Sequence, residues 1–193
     1  MKVRIMSRLE AIQHTYKKEI APCIIISINS FTRKEGDAEK PTFDKNPNIM
    51  GIKYINFDDV LPRQVEGLDY KPMSEEDAQE IIEFISSFKQ DIKRNIVQEI
   101  IVHCHAGISR SSAVASAICR YLATDDMWIW SNCYIPNRHV LETMNLFLGS
   151  KIYSYEEIER RYAINEAWRE VDIFNLGEQL NSMSIKTNKG ENE

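Results

Sequence analysis

The sequence lacks any hydrophobic run long enough to cross a lipid bilayer. Its longest purely aliphatic stretch runs from Ile24 to Ile26, whereas a membrane-spanning helix needs about 20 apolar residues. The N-terminus alternates Lys2 and Arg4 with apolar residues and soon reaches Arg8, so we expect no apolar core of a signal peptide there. We therefore expect a cytoplasmic protein without a membrane span.

An excess of positive charge is also absent, because 24 Lys and Arg residues stand against 29 Asp and Glu residues. The resulting net charge of −5 argues against a dedicated nucleic-acid-binding protein, since the neutralisation of backbone phosphates drives most of the affinity of such proteins. A phosphorylated ligand is still compatible with this charge, because a local pocket can be positive on an acidic protein. Nucleic acid is therefore not an expected partner.

Cysteines are few and widely spaced. The sequence has four of them, at Cys23, Cys104, Cys119 and Cys133. None forms a pair separated by two residues, so reduced thiols are expected in a cytosolic chain rather than disulfides. His103 and His105 flank Cys104, but no second pair of ligands follows at zinc spacing. We expect neither a metal ion nor an organic cofactor.

Short apolar runs alternate with amphipathic stretches, a pattern that is typical of an α/β domain. Four runs are predicted as strands, at residues 3–6, 22–28, 52–57 and 100–102. Capping boxes predict helix starts at Ser7 and Ser74, and further helices are predicted over residues 111–122, from Pro136 and after Ser154. The polar and Pro-containing stretches 29–48 and 60–73 are predicted as surface loops.

The most informative segment covers residues 102–112 and reads Val-His-Cys-His-Ala-Gly-Ile-Ser-Arg-Ser-Ser. Five residues separate Cys104 from Arg110, between a predicted buried strand and the start of a helix. A loop of this length can turn its backbone N–H groups toward one centre and form an anion-binding nest. The following helix adds the positive end of its dipole, and Gly107 permits a turn that a side chain would obstruct.

These features together favour a bound phosphate and a reactive thiolate. The planar guanidinium of Arg110 can grip two oxygens of a phosphate, and Cys104 would then lie beneath the phosphorus. The predicted chemistry is in-line attack by sulfur on phosphorus, followed by hydrolysis of the cysteinyl-phosphate by water. The predicted phosphate-binding residues are His105, Ala106, Gly107, Ile108, Ser109 and Arg110.

The segment resembles the signature of the cysteine-dependent protein tyrosine phosphatase superfamily, and within it the dual-specificity branch of bacterial or phage type. The family pattern is His-Cys, five residues, Arg, and then Ser or Thr, which His103, Cys104, Arg110 and Ser111 match. The resemblance implies that Ser111 hydrogen-bonds the thiolate and eases its departure, while His103 braces the loop from behind. Ser111 can also be a helix-start hydroxyl, and one hydroxyl can serve both purposes.

The family also needs a general acid, because an alkoxide or phenolate leaves poorly without a proton. The resemblance places this acid on an Asp that follows a strand upstream of the cysteine. Asp58 and Asp59 follow the predicted strand at residues 52–57. We favour Asp59 as the catalytic acid, with Asp58 as the alternative and Asp69 as the next candidate. Asp58 and Asp59 can also be residues of a solvated turn without a catalytic role.

Two weaker signals follow the loop. Pro136-Asn137 resembles the Pro-Asn that comes after the catalytic helix in dual-specificity phosphatases, which would make Asn137 a scaffold residue. Trp128 and Trp130 are predicted as packing residues on a loop, since two tryptophans so close in sequence more often pack than bind a ligand.

We therefore predict one α/β domain of protein tyrosine phosphatase type over residues 1–182, followed by a polar, disordered tail over residues 183–193. Its central sheet is flanked by helices, and the phosphate-binding loop joins a strand to a helix. The expected substrate is phosphotyrosine in proteins, together with phosphoserine and phosphothreonine if the cleft is shallow. A phosphoinositide, an RNA 5′-phosphate and phospho-ligand binding without turnover stay open as alternatives.

Overall fold

The computed structural model describes residues 1–32, 40–43, 45–61, 69–131, 133–149 and 152–187, with side chains described as far as residue 171. Within this part of the chain, four strands and seven helices follow one another. Their order is β1 (Lys2–Ser7), α1 (Arg8–Thr15), β2 (Cys23–Asn29), β3 (Ile49–Asn56), α2 (Glu75–Ser87), α3 (Lys89–Lys93), β4 (Glu99–Cys104), α4 (Arg110–Tyr121), α5 (Met127–Trp130), α6 (Arg138–Phe147) and α7 (Tyr155–Thr187).

The four strands form one parallel sheet in the order β1-β4-β2-β3. Strand β4 lies between two partners, with Cys104 level with Ser7 of β1 and His103 level with Ser27 of β2. Because all strands run the same way, their carboxyl ends meet at one edge of the sheet. Ligands of open α/β sheets bind at this edge, and Cys104 ends its strand there.

Apolar side chains on both faces of the sheet explain why β2 and β4 are buried along their whole length. Ile24, Ile26 and Ile28 contribute to a large core that also contains α2, α4 and α6. The alternate residues Cys23 and Ile25 contribute to a smaller core that contains part of α1. A parallel strand covered on both faces needs a nearly continuous apolar sequence, which the predicted run 22–28 has.

Two capping boxes begin helices where the sequence predicts them. The Ser7 hydroxyl accepts from the Glu10 N–H, and the Glu10 carboxylate accepts from the Ser7 N–H. Ser74 and Asp77 make the same pair of bonds at the start of α2. The predicted strand at residues 52–57 is also present, but it begins three residues earlier, at Ile49.

The prediction of a loop at Trp128 and Trp130 is wrong, because Met127–Trp130 form the short helix α5. Trp130 is fully buried, and a buried indole N–H needs a hydrogen-bond partner. One helical turn brings this N–H over the residue four positions earlier, where it donates to Asp126 Oδ2 at 2.9 Å. The packing role predicted for Trp130 agrees with its burial.

Asp126 is the centre of a buried polar cluster that joins α4, α5 and α7. Its carboxylate accepts from Arg161 at 2.7 Å, from Tyr153 at 2.5 Å, and from Trp130 and Ser116 at 2.9 and 2.8 Å. Burial and the negative charge of Asp126 raise the pKa of Tyr153, so the tyrosine hydroxyl keeps its proton and donates it to the cluster. Every donor is supplied by a different segment, and the cluster therefore fixes how these helices pack.

Helix α7 extends to Thr187, beyond the predicted domain limit at residue 182. Residues 188–193 of the predicted tail lie outside the described residues, so the domain boundary stays a prediction. Within the described residues, no helix combines the length and the apolar composition needed to cross a membrane.

We predict that Asp126→Ala lowers the free energy of unfolding by about 3–5 kcal/mol, because it leaves the Arg161 cation buried without its counter-charge. Asp125→Ala is the matched control, since this neighbouring carboxylate is exposed and accepts one bond from the Met127 N–H. The control should cost about 1 kcal/mol or less. Urea denaturation measures both values, and equal losses would contradict a role specific to the buried cluster.

Candidate active site

An open cleft of about 440 Å³ lies at the carboxyl edge of the sheet. It is lined by Asp59, Cys104, His105, Ala106, Ile108, Ser109 and Arg110. Six of these residues belong to the segment that joins β4 to α4, whereas Asp59 follows β3. The fold therefore brings the predicted nucleophile, phosphate clamp and acid into one cleft.

Cys104 is the last residue of β4 and is only 2 % exposed. Its Sγ lies 3.2 Å from Ser111 Oγ, in the first turn of α4. Ser111 is fully buried, and either atom can act as the donor. The contact that the family resemblance implies between this hydroxyl and the sulfur is thus present in the geometry.

Gly107 lets the loop press against the junction of β1 and α1. Its φ is +73°, and an added Cβ would lie 2.5 Å from the backbone nitrogen of Ser7 and 2.6 Å from the carbonyl carbon of Met6. Nearby, the Arg8 N–H donates to the His105 carbonyl at 3.1 Å. Gly107 is buried and is not among the described residues that line the cleft. Its contact with phosphate stays a prediction.

Arg110 is held from beneath the cleft and is only 2 % exposed. Its Nη1 donates to the Phe57 carbonyl at 3.0 Å and to the Ser30 hydroxyl at 3.1 Å. These two acceptors directly follow β3 and β2, at the same edge of the sheet. Ser30 is not predicted as a site residue from the sequence. Its one sequence signal is its position just after a predicted buried strand, which places it at the carboxyl edge of the sheet.

Asp59 is exposed and faces the loop. Its Oδ1 accepts from the Ser109 hydroxyl at 2.8 Å and from the Asn137 side-chain amide at 2.8 Å. The two donors hold the carboxyl group at the cleft from the loop side and from the start of α6.

Asp58 has a different environment from its neighbour, because it is fully buried. Its Oδ1 accepts from the backbone N–H groups of Phe31 at 2.9 Å and Thr32 at 3.1 Å, and its Oδ2 accepts from that of Lys71 at 2.9 Å. Asp58 therefore binds backbone segments together and is not among the described residues that line the cleft. The further candidate Asp69 is exposed and likewise does not line it within the described residues.

Asn137 connects the loop, the acid and α6. Its Oδ1 accepts from the Val140 N–H at 3.1 Å and so caps the helix. Its backbone N–H donates to the Ser109 carbonyl at 3.2 Å, while its side-chain amide donates to Asp59. The scaffold role expected of Asn137 agrees with these contacts.

His103 lies behind the loop and is fully buried. Its Nδ1 is 3.4 Å from the Cys104 carbonyl, and its ring meets Phe43 edge-on at 5.6 Å between centroids. This position agrees with the bracing role that the family resemblance implies. Among the described residues, no group of three or more His, Cys, Asp or Glu side chains is placed to hold a metal ion.

The predicted α/β class is confirmed: a central parallel sheet is flanked by helices, and the Cys104 loop joins a strand to a helix. No protein-family model matches the chain, and no curated protein sequence matches it. Among solved structures, the chain is similar to the human tyrosine phosphatase-like serine/threonine/tyrosine-interacting protein. The two are 18 % identical with a TM-score of 0.44, over 67 % of this chain and 78 % of that one.

The four cysteines differ in environment. Burial raises the pKa of the Cys23 and Cys119 thiols to about 11. Cys133 is exposed, whereas Cys104 is buried but lines the cleft. Of the four sulfurs, only that of Cys104 lies at the start of a loop and a helix that favour negative charge.

We predict that iodoacetamide alkylates Cys104 faster than the other three cysteines at about pH 6, because the loop and the helix dipole stabilise its thiolate. Phosphate or vanadate should block this reaction by occupying the cleft. Mass spectrometry of the four tryptic peptides measures each rate, with exposed Cys133 as the internal control. Equal rates at Cys104 and Cys133 would contradict the predicted anion-binding loop.

Proposed function

We propose that this chain hydrolyses phosphate monoesters through a cysteinyl-phosphate intermediate. The observation that supports this most directly is the shared cleft, which Cys104, Arg110 and Asp59 all line. A thiol, a fixed cation and an exposed carboxyl group are the three groups that such a reaction needs. They serve as nucleophile, phosphate clamp and proton donor.

Binding of the phosphate group is the first step of the proposed reaction. Arg110 begins α4, so its guanidinium and the positive end of the helix dipole act on the same anion. The loop backbone from His105 to Ser109 would supply further N–H donors. A planar guanidinium can bind two phosphate oxygens at once, which also orients the phosphorus over Cys104 Sγ.

In the second step, the Cys104 thiolate attacks phosphorus in line with the ester bond. The P–S bond forms as the bond to the leaving oxygen breaks, and Asp59 gives its proton to that oxygen. Asp59 Oδ1 already accepts two hydrogen bonds, which leaves Oδ2 as the oxygen that carries the proton. The carboxyl group is then an anion, ready to act as a base.

In the third step, water attacks the phosphorus of the cysteinyl-phosphate. Asp59 takes a proton from this water, the P–S bond breaks, and inorganic phosphate leaves. The departing sulfur is a thiolate, which the Ser111 hydroxyl at 3.2 Å can stabilise as a hydrogen-bond donor. Two easier displacements thereby replace one difficult hydrolysis.

The proposed substrate is phosphotyrosine in a protein. Ile108 lines the cleft and is 41 % exposed, and its carbonyl accepts from the N–H of Ile135, which is 42 % exposed. The apolar Ile108 side chain therefore lies at the cleft, where an aromatic leaving group gains more from apolar contact than a serine side chain does. Phosphoserine and phosphothreonine are expected as poorer substrates.

We predict that the unmodified chain hydrolyses phosphotyrosine peptides and that Cys104→Ser has no turnover above background, because a serine hydroxyl is a much weaker nucleophile than a thiolate. The variant should still bind the phosphate group, since the loop and Arg110 are unchanged. Cys133→Ser, which changes an exposed thiol in the same way, is the matched control and should keep full activity.

The same assay should include phosphoserine peptides, phosphoinositides and RNA with 5′-phosphate ends. Turnover of one of these in place of phosphotyrosine would change the proposed substrate and keep the mechanism. Binding of phosphopeptides without turnover on any of them would contradict the proposed activity and identify a phospho-ligand binding module.

We predict that Asp59→Asn slows phosphotyrosine hydrolysis by about 10²–10⁴-fold, the usual range for loss of a general acid. The effect should be much smaller for an activated aryl phosphate, because nitrophenolate leaves with little protonation. The rate profile of the variant should also lose its alkaline limb. Asp69→Asn is the matched control, since it removes an exposed carboxylate outside the cleft lining. Equal losses on both substrates would mean that Asp59 is not the proton donor.

A further inference from the structure

Residues 30–32, which directly follow β2, adjoin the cleft through Arg110 and carry no recognisable motif. The side chains of Ser30 and Thr32 are only 6 % and 8 % exposed, whereas Phe31 between them is 55 % exposed. Ser30 Oγ accepts from Arg110 Nη1 at 3.1 Å, although 80 residues separate the two in sequence. A polar side chain is thus buried directly against the proposed phosphate clamp.

Asp58 holds this segment in place. Its Oδ1 accepts from the N–H groups of Phe31 and Thr32 at 2.9 and 3.1 Å, and from the Thr32 hydroxyl at 3.3 Å. A fully buried carboxylate with several donors from one segment fixes the path of that backbone. Asp58, the residue next to the proposed acid Asp59, therefore sets the position of the Ser30 hydroxyl.

The two acceptors of Arg110, the Ser30 hydroxyl and the Phe57 carbonyl, belong to segments that are joined by a backbone hydrogen bond. Arg110 Nη1 also donates to the Phe57 carbonyl at 3.0 Å, and the Phe57 N–H donates to the Asn29 carbonyl at 3.0 Å. The ends of β2 and β3 are thereby joined, and each supplies one acceptor to the same nitrogen. A hydroxyl and a carbonyl carry no net charge, so these two acceptors orient the guanidinium without neutralising it.

We propose that Ser30 is a positioning residue for phosphate binding, because its hydroxyl holds the Arg110 guanidinium in the plane that grips two phosphate oxygens. Asp58 contributes to the site by holding the segment of Ser30 and not by transferring a proton. Without the hydroxyl, the guanidinium has one restraint fewer, and phosphate binding must order it at a cost in affinity. This inference rests on the proposed phosphate site, but it does not depend on turnover.

The test measures how inorganic phosphate protects Cys104 of the full chain from iodoacetamide. In Ser30→Ala, the phosphate concentration that gives half-protection should rise roughly tenfold, as expected when one hydrogen bond that orients a charged group is lost. The alkylation rate without phosphate should stay close to that of the unmodified chain, because the substitution removes an acceptor of Arg110 and leaves the contact between Cys104 and Ser111 in place. Thermal unfolding of the same samples checks that the variant is folded.

Two further variants separate positioning from general loosening of the strand. Ser30→Thr keeps the hydroxyl and should restore protection. Ser27→Ala removes a fully buried hydroxyl from β2 itself, one that accepts from the Asn29 side chain, and should leave protection unchanged. An equal loss in Ser27→Ala, no loss in Ser30→Ala, a loss in Ser30→Thr as large as in Ser30→Ala, or no protection in the unmodified chain would each overturn the inference.

The outcome is also distinct from that of the proposed function. If phosphate protects Cys104 in a manner that depends on Ser30 while no phosphate ester is hydrolysed, the proposed hydrolase activity fails and the positioning role stands. If phosphotyrosine is hydrolysed and Ser30→Ala binds phosphate as tightly as the unmodified chain, the activity stands and the positioning role fails.

Discussion

Parallel pairing of β4 with both β1 and β2 is the constraint on which the site depends. Together with the parallel pairing of β3 with β2, it places the carboxyl ends of all four strands at one edge, so residues just beyond those ends become neighbours in space. Cys104 ends β4, Ser30 directly follows β2, and Asp59 lies three residues beyond the end of β3. A strand pair with the opposite direction would carry these side chains to opposite edges of the sheet.

Two adjacent aspartates differ in burial and in hydrogen-bond partners. Asp58 is fully enclosed and accepts backbone N–H donors, so it stabilises the turn beneath the cleft. Asp59 reaches the opening, where Ser109 and Asn137 hold one of its oxygens. The same carboxyl group thus serves as a structural anchor at one position and as the proposed proton donor at the next, as environment commonly separates the roles of paired carboxyls.

Hydrogen bonds from several segments hold the proposed phosphate-binding loop in place. The carbonyls of His105, Ile108 and Ser109 accept from Arg8, Ile135 and Asn137, respectively. These acceptor groups therefore have partners in the protein, while the loop keeps its shape around the cleft. Because the loop is restrained in this way, little of the free energy of ligand binding is needed to order it, which is the advantage of a preorganised anion site.

Much of the local structure follows from the sequence, because it depends on residues close together in the chain. The two capping boxes, the apolar run of β2 and the Cys-to-Arg spacing are short-range patterns, and each is found in the structure where it was predicted. The contact between Cys104 and Ser111 spans only seven residues. Such features need no knowledge of which strands pair.

Other features were decided only by the tertiary structure. Ser109 and Asn137 meet Asp59 across 50 and 78 residues, and Ser30 meets Arg110 across 80. Strand alternation could not choose between Asp58 and Asp59, because both lie beyond the end of the strand, where the period of two no longer applies. Their difference arises because strand order brings the segment after β2 against Asp58 and the loop between β4 and α4 against Asp59. Local pattern thus determined the spacing of Cys104 and Arg110 from which we propose their chemistry, and long-range packing determined which side chains surround them.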